Sequence, residues 1–291
     1  LASLDIRLAN ADLPVLIQGE TGAGKDRVAR FLHTANLQRR GGPLVTLNCG
    51  AIDPGTARSQ LFGHVRGAFT GALRPRVGAL KAADRGTLFL DEVAELSLEL
   101  QASLLRVLES HEVTPVGGDR AQPTAFRLVA ATHKDLFAEA RTGRFRLDLY
   151  YRVAVLLARV PPLRERRAEL SKIVSTVLAD LGHRQVSLHS SALLLLRSHT
   201  WPGNIRELRN VLCRALVRAE DEKVIRAEHL QFDGPGVPRS GTEEAQMLAR
   251  PSRVCRGDIL DALRATGGNR TLAAKQLGIA RSTLYAHLSA A

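Results

Sequence analysis

Gly19-Glu20-Thr21-Gly22-Ala23-Gly24-Lys25-Asp26 decides how the rest of this chain is read. The apolar run Pro14-Val15-Leu16-Ile17-Gln18 precedes it, and Arg27 to Thr34 follows with Val28, Phe31 and Leu32 at helical spacing. Strand, glycine-rich turn and helix together make the pattern G-x-x-x-x-G-K a phosphate-binding loop. The glycines let backbone N–H groups curl around an anion, Lys25 adds a point charge, and the helix start adds its partial positive charge. Asp26 stands where Ser or Thr would offer Mg²⁺ a hydroxyl, so a metal would have to lean on another acid. The competing reading is a glycine-rich turn with a solvated lysine, which leaves the flanking strand and helix without a purpose.

The 291 residues suffice for one large domain or two to three small ones with a buried core. A net charge of +12 points to a polyanionic partner or ligand. That basicity is distributed: residues 251–291 hold six Arg or Lys against Asp258 and Asp261, which is +4; residues 233–250 carry −1; and +9 is left for residues 1–232. Cys49, Cys213 and Cys255 are far apart and form no C-x-x-C pair, the pattern of a reduced cytosolic protein without structural zinc. No apolar run approaches the roughly 18 residues that span a bilayer, so no membrane contact is expected. Leu1 lies close to the first strand, which reads as a fragment lacking an N-terminal portion.

Further strands deliver polar groups to the same edge. Residues 13–18 form the first strand and residues 43–48 the second, which ends in Asn48. In an open parallel sheet, ligands sit beyond the carboxyl ends of the strands. Asn48 therefore either approaches the ligand or caps the next turn. Gly86-Thr87-Leu88-Phe89-Leu90-Asp91-Glu92 is an apolar strand running into two acids, with Asp91 suited to hold Mg²⁺ through its water shell and Glu92 to deprotonate an attacking water. Leu96, Leu100, Leu104, Leu105 and Leu108 mark a helical stripe, and residues 112–119 a hairpin around Gly117-Gly118. Residues 127–133 form the next strand, ending in Thr132 and His133; the histidine is either structural or beside the ligand.

Arg146 and Arg152 stand six apart in residues 144–152, on what reads as a short helix before a fifth strand, 153–160. They form a solvated basic face, or they reach a neighbouring subunit's phosphate with paired donors. Phe69 and Thr70 lie between two Gly-Ala pairs in Gly67-Ala68-Phe69-Thr70-Gly71-Ala72, where the ring either folds back onto the core or forms a contact tip. Residues 163–232 turn helical (168–181, 191–198, 204–219), with Trp201-Pro202-Gly203-Asn204 as a break and Asn204 as the cap that puts Arg206 in the first turn. Residues 233–241 are linker by composition. Helical segments 256–266 and 270–277, a turn at Gly278, and a last helix from Ser282 give a helix-turn-helix or a plain helical hairpin. In the first case Arg270, Arg281, Ser282, Thr283 and Tyr285 face phosphates and base edges.

On these residues the chain resembles the sigma-54-dependent transcriptional activators, the bacterial enhancer-binding proteins. The AAA+ domain is matched by residues 12–232 and the Fis-type helix-turn-helix domain by residues 255–288. The resemblance implies an α/β fold with a five-stranded parallel sheet and helices on both faces. It divides the chain into an AAA+ α/β ATPase subdomain, 1–162; an α-helical lid, 163–232; a linker, 233–250; and a DNA-binding domain, 251–291. Gly19–Asp26 is similar to the family's Walker A loop, where a final acid is usual. Asp91 and Glu92 are similar to Walker B, and Asn48 to the asparagine that switches the glutamate. Thr132-His133 matches sensor I, where many members carry Asn, and Arg206 matches sensor II. Arg146 and Arg152 match arginines presented in trans, and Gly67–Ala72 is the GAFTGA loop that contacts sigma-54. Glu112–Thr124 matches a second substrate-facing hairpin.

ATP and Mg²⁺, sigma-54 RNA polymerase, double-stranded upstream DNA and a homo-oligomeric, hexameric ring are the implied cofactors and partners, with the chain in the bacterial cytoplasm. The implied activity is ATP hydrolysis that remodels the closed promoter complex. The same domains would also suit a repressor or dual regulator whose nucleotide only controls oligomerisation, or a DNA translocase.

Overall fold

The computed structural model describes residues 6–220 and 222–232. Five strands form one sheet: β1 (Val15–Gln18), β2 (Leu44–Asn48), β3 (Thr87–Asp91), β4 (Arg127–Thr132) and β5 (Leu156–Arg159). Their order is β2-β3-β4-β1-β5 and every pairing is parallel. The central strands β1, β3 and β4 are buried almost throughout, which is why they read as continuous apolar runs; the edge strands β2 and β5 alternate.

Each central strand divides its side chains between two cores. Val15, Ile17, Phe89, Val129 and Ala131 pack with Val28, Ala29 and Leu32 of α2 (Lys25–Thr34) and Ala9 of α1 (Ile6–Asn10). Leu16, Leu88, Leu90, Leu128 and Ala130 face the opposite way. They meet α3 (Ala57–Phe62), α4 (Ala79–Ala82), α5 (Leu98–Ser110), α6 (Leu136–Arg141) and α7 (Leu147–Val153). The period of two in a strand thus puts helices on both faces, as the fold class expected.

Arg127 opens β4 and is almost wholly buried. Its guanidinium donates to the carbonyls of Leu8, Ala9, Leu13 and Leu32 at 2.7–3.3 Å, pinning the segment ahead of β1 to the end of α2. An arginine suits this place because its fixed fork of donors can serve several carbonyls at once.

The lid consists of α8 (Leu170–Asp180), α9 (Ser190–Ser198) and α10 (Asn204–Arg218), with a two-residue parallel ladder, Ser187–Leu188 against Val224–Ile225. Leu208, Val211, Leu212 and Ala215 form the buried stripe of α10 at helical spacing. Trp201 fills the lid core and donates its indole N–H to the Leu196 carbonyl at 2.9 Å.

Three local expectations need correction. The fifth strand starts at Leu156, because helix α7 continues through Val153 to bury that residue beside Leu149. The hairpin is wider than its Gly-Gly pair suggests: Glu112 pairs with Pro123 and Val113 with Gln122. Its intervening residues lean on another loop, since Val116 exchanges backbone hydrogen bonds with Gly63 and Val65. Leu96 lies outside α5, whose N-terminus is capped by the Ser97 hydroxyl accepting from the Leu100 N–H.

Candidate active site

The turn between β1 and α2 closes around Lys25, a buried lysine whose ammonium donates to the Gly19 carbonyl at 3.1 Å and to Glu92 Oε1 at 3.3 Å. Gly22 has a φ of +77°, and a Cβ there would stand 2.6 Å from the Gly203 carbonyl oxygen. No side chain fits, so the lid backbone can approach the loop directly. The result is a cleft of about 330 Å³ lined by Thr21, Gly22, Gly24, Lys25 and Asp26 of the loop, Asp91 at the end of β3 and Glu92 just after it, and Asp180, Arg206 and Arg209 of the lid.

A second cavity of about 270 Å³ adjoins it through Gly24, Arg27 and Ile205, with apolar side chains from Ala23, Val28, Val160 and Ile173. Arg27 and Asp180 form an ion pair at the border. The first compartment offers cations and curled backbone, and the second offers apolar side chains with Arg159, Arg166, Glu169 and Lys172 also in its lining, a set that fits a nucleoside phosphate.

At the end of β3 the two acids differ. Burial pushes the Asp91 carboxyl up, the neighbouring Glu92 charge adds to this, and Lys25 opposes it. Burial acts in the same direction on Glu92, but the hydrogen bond from His133 and the Lys25 charge together hold it below its usual value. His133 Nδ1 is 2.7 Å from Glu92 Oε2; an ionised carboxylate only accepts, so Nδ1 carries the proton. Glu92 also adopts a φ of +52°, a strained conformation that persists where surrounding contacts over-determine it.

The other expected residues fall as follows. Thr132 is buried, its carbonyl accepts the Gly19 N–H, and its hydroxyl accepts the Lys134 N–H. Asn48 stands in register with Asp91, and its carboxamide oxygen caps the next turn by accepting the Gly50 N–H at 3.0 Å. Glu20 turns its carboxylate to the lid, where Arg164 and Asn204 bind it. Arg206 lines the cleft, but Asn204 does not cap α10 with its side chain; that carboxamide contacts Glu20, Thr21 and Leu163 instead. Arg146 precedes α7 and pairs with Asp148 at 2.7 Å, so it does face a local acid; Arg152 donates to the Leu108 carbonyl. Neither arginine is among the residues lining its own chain's cleft.

Gly67 to Ala72 forms a tight loop closed by the Gly67 N–H donating to the Ala72 carbonyl at 2.8 Å. Phe69 is 43% exposed and rests edge-on against the His64 ring, outside the core. His64 is itself fixed by Ser59 and the Arg74 carbonyl. Arg270, Arg281, Ser282, Thr283 and Tyr285 lie outside the described residues. Sequence reading missed Arg209, although its spacing of three from Arg206 puts both on one helical face. It also missed Arg164, whose partner Glu20 is 144 residues away and leaves no local signal.

Residues 3–158 match the sigma-54 interaction domain family, more than half of the chain. This chain belongs to the sigma-54-dependent activator family. Beyond that domain, residues 164–246 match the AAA+ ATPase lid domain and residues 258–290 the Fis family of bacterial regulatory proteins, a helix-turn-helix DNA-binding domain. Among the curated relatives that this chain resembles are the nitric oxide reductase transcription regulator NorR2 of Cupriavidus necator, 42% identical over 96% of the chain, and the transcriptional regulatory protein ZraR of Escherichia coli, 43% identical over 97%. The chain spans 58% and 64% of their respective lengths. The crystal structure of Brucella abortus NtrX in complex with ATP is similar with a TM-score of 0.68 and 31% identity, covering 98% of this chain and 65% of that one. Among the described residues, no helix is long and apolar enough to cross a membrane.

Proposed function

We propose that this activator binds ATP in the cleft between the phosphate-binding loop and the lid, hydrolyses it within a ring of its own copies, and uses the change to remodel sigma-54 RNA polymerase. The observation that carries the reading is the meeting of Lys25, Asp91 and Glu92 at one mouth, with Glu92 held 3.3 Å from the lysine that would otherwise serve phosphates. Lys25 and the curled loop 19–26 bind the phosphates, and the apolar cavity beside Ile205 takes the base. Asp91 holds Mg²⁺ through water; when bound, the ion neutralises charge on the phosphate oxygens. Glu92 accepts the proton of the attacking water once Lys25 is drawn away. Arg206 contacts the phosphates from the lid.

Arg146 and Arg152 act on the cleft of a neighbouring protomer. Their position away from their own cleft supports this, and ring assembly follows from it. Asn48 and His133 compete for Glu92 as the phosphate state changes; the 2.7 Å contact of His133 Nδ1 with Glu92 Oε2 supports this. The change moves the loop 67–72, whose exposed Phe69 and Thr70 engage sigma-54. The Fis-type domain docks the ring on upstream DNA through Arg270, Arg281, Ser282, Thr283 and Tyr285 and raises its local concentration at the promoter.

Glu92→Ala tests the reading: it is expected to retain ATP binding and lose hydrolysis, whereas Phe69→Ala retains hydrolysis and loses promoter opening. Nucleotide-dependent sizing with a transition-state analogue checks the ring. A Glu92→Ala chain that still opens promoters would reduce the nucleotide to a control on oligomerisation and leave a DNA-binding regulator.

A further inference from the structure

The seam between the phosphate-binding loop and the lid is bonded residue by residue. Glu20 receives two hydrogen bonds from the Arg164 guanidinium, at 2.6 and 2.9 Å, and a third from the Asn204 amide at 3.0 Å. That amide nitrogen also donates to the Thr21 carbonyl at 3.2 Å, while the carboxamide oxygen accepts the Leu163 N–H at 2.8 Å. The Ile205 N–H donates to the Gly22 carbonyl at 2.9 Å. Three consecutive loop residues, 20 to 22, are thereby tied to the first turn of α10, the helix that carries Arg206 and Arg209 into the cleft.

The chemistry of each member fits its place. Asn204 is fully buried at a φ of +53°, a conformation that asparagine adopts more readily than most residues. Its carboxamide donates to the loop and accepts from the hinge at once; an aspartate there would lose both donors and set a second carboxylate beside Glu20. Arg164 lies in the turn Leu163–Glu165, directly after Pro161-Pro162, where the chain leaves the sheet for the lid. An exposed Arg–Glu pair alone contributes little. This one shares its carboxylate with a buried amide, so the two contacts reinforce each other.

We propose that Glu20, Arg164 and Asn204 are positioning residues that latch the phosphate-binding loop to the hinge and to α10, holding Arg206 and Arg209 over the phosphates while the latch is closed. The role rests on the nucleotide reading of the cleft given above. A lid that swings outward must release loop residues 20 to 22 together, so lid angle and loop shape change as one unit.

The test uses the full chain with Arg164→Gln, Glu20→Gln, the double variant and the conservative Arg164→Lys. Hydrogen exchange without nucleotide follows the Ile205 amide, whose acceptor is the Gly22 carbonyl. Steady-state hydrolysis separates KM from kcat. The latch predicts that Arg164→Gln speeds Ile205 exchange and raises KM for ATP, each about tenfold, for the loss of a charge-assisted contact. It also predicts kcat within about twofold, a double variant no worse than either single one, and Arg164→Lys between them. Ile205 exchange at the wild-type rate in both single variants, or single effects that simply add, overturns the latch. A wild-type chain that binds no nucleotide while Ile205 exchange still responds defeats the nucleotide reading and the positioning role with it. Wild-type hydrolysis alongside indistinguishable variants defeats the latch alone.

Discussion

Gly117→Ala is expected to uncouple ATP hydrolysis from sigma-54 engagement. Gly117 has a φ of +74° and sits in the wide hairpin under the loop 67–72; a Cβ built there stands 2.7 Å from Ala68 Cβ and 3.0 Å from Ala68 Cα. Carbon atoms in ordinary contact keep about 3.5–4.0 Å, so Ala68 and the neighbouring Phe69 must move by about 1 Å. The left-handed backbone adds about 1–2 kcal/mol of its own. Gly182→Ala isolates that second cost, because Gly182 has a φ of +88° and nothing within 4 Å of its would-be Cβ. Both variants should melt within about 10 °C of wild type, given roughly 2–4 °C per kcal/mol in a domain of this size. Both should hydrolyse ATP at near wild-type rates, since neither position lines the cleft. Only Gly117→Ala should lose sigma-54 in co-migration with a transition-state analogue, by about tenfold or more for a loss above 1.4 kcal/mol. Normal sigma-54 capture by Gly117→Ala, or equal loss in both variants, would refute the claim that the hairpin supports the loop.

Other expectations are independent of that one. Arg127→Met strands the carbonyls of Leu8, Ala9, Leu13 and Leu32 and should destabilise the chain by about 3–5 kcal/mol; thermal melting within about 3 °C of wild type would show that water replaces the guanidinium. Glu20 is held down to about 2, first by the Arg164 hydrogen bond and then by that of Asn204. Its folded-state value is thus depressed, so its contribution is complete above the ordinary 4.5 and disappears as pH falls towards about 2. The stability gap between wild type and Glu20→Gln, measured by urea unfolding, should therefore be flat above about pH 5 and narrow below it. Arg209→Ala should raise KM for ATP by roughly threefold to tenfold through loss of a cation at the cleft, and an unchanged KM would remove Arg209 from nucleotide contact.

How much of this was legible in the sequence varies with the range of the interactions. The strands holding Leu16, Leu88 and Val129 announced themselves as apolar runs, because central strands buried on both faces carry no polar alternation. Asp91 and Glu92 were legible because the acids follow such a run directly. The end of α7 was not, since Leu149-Tyr150-Tyr151-Arg152-Val153 is as acceptable to a strand as to a helix until its neighbours are known. Asn204 looked like a cap because asparagine before a helical stripe usually is one; here the P-loop, far off in the chain, claims its carboxamide. Arg146 looked unpaired, yet Asp148 lies two residues on, and only the bend ahead of α7 brings the two side chains together.

The sequence by itself determined that a phosphate loop, an acid pair and a glycine-flanked Phe69 belong to one α/β chain followed by helices and a basic tail. Those features depend on residues close together in the chain, where backbone conformation and side-chain chemistry are set locally. Only the tertiary structure decided what Glu92 and Glu20 hold. Glu92 meets Lys25 and His133 because β1, β3 and β4 end side by side, and Glu20 meets Arg164 and Asn204 because the lid folds back over the loop. Such contacts close loops of 41 to 184 residues, and chain closure of that length leaves no trace in local propensity or periodicity.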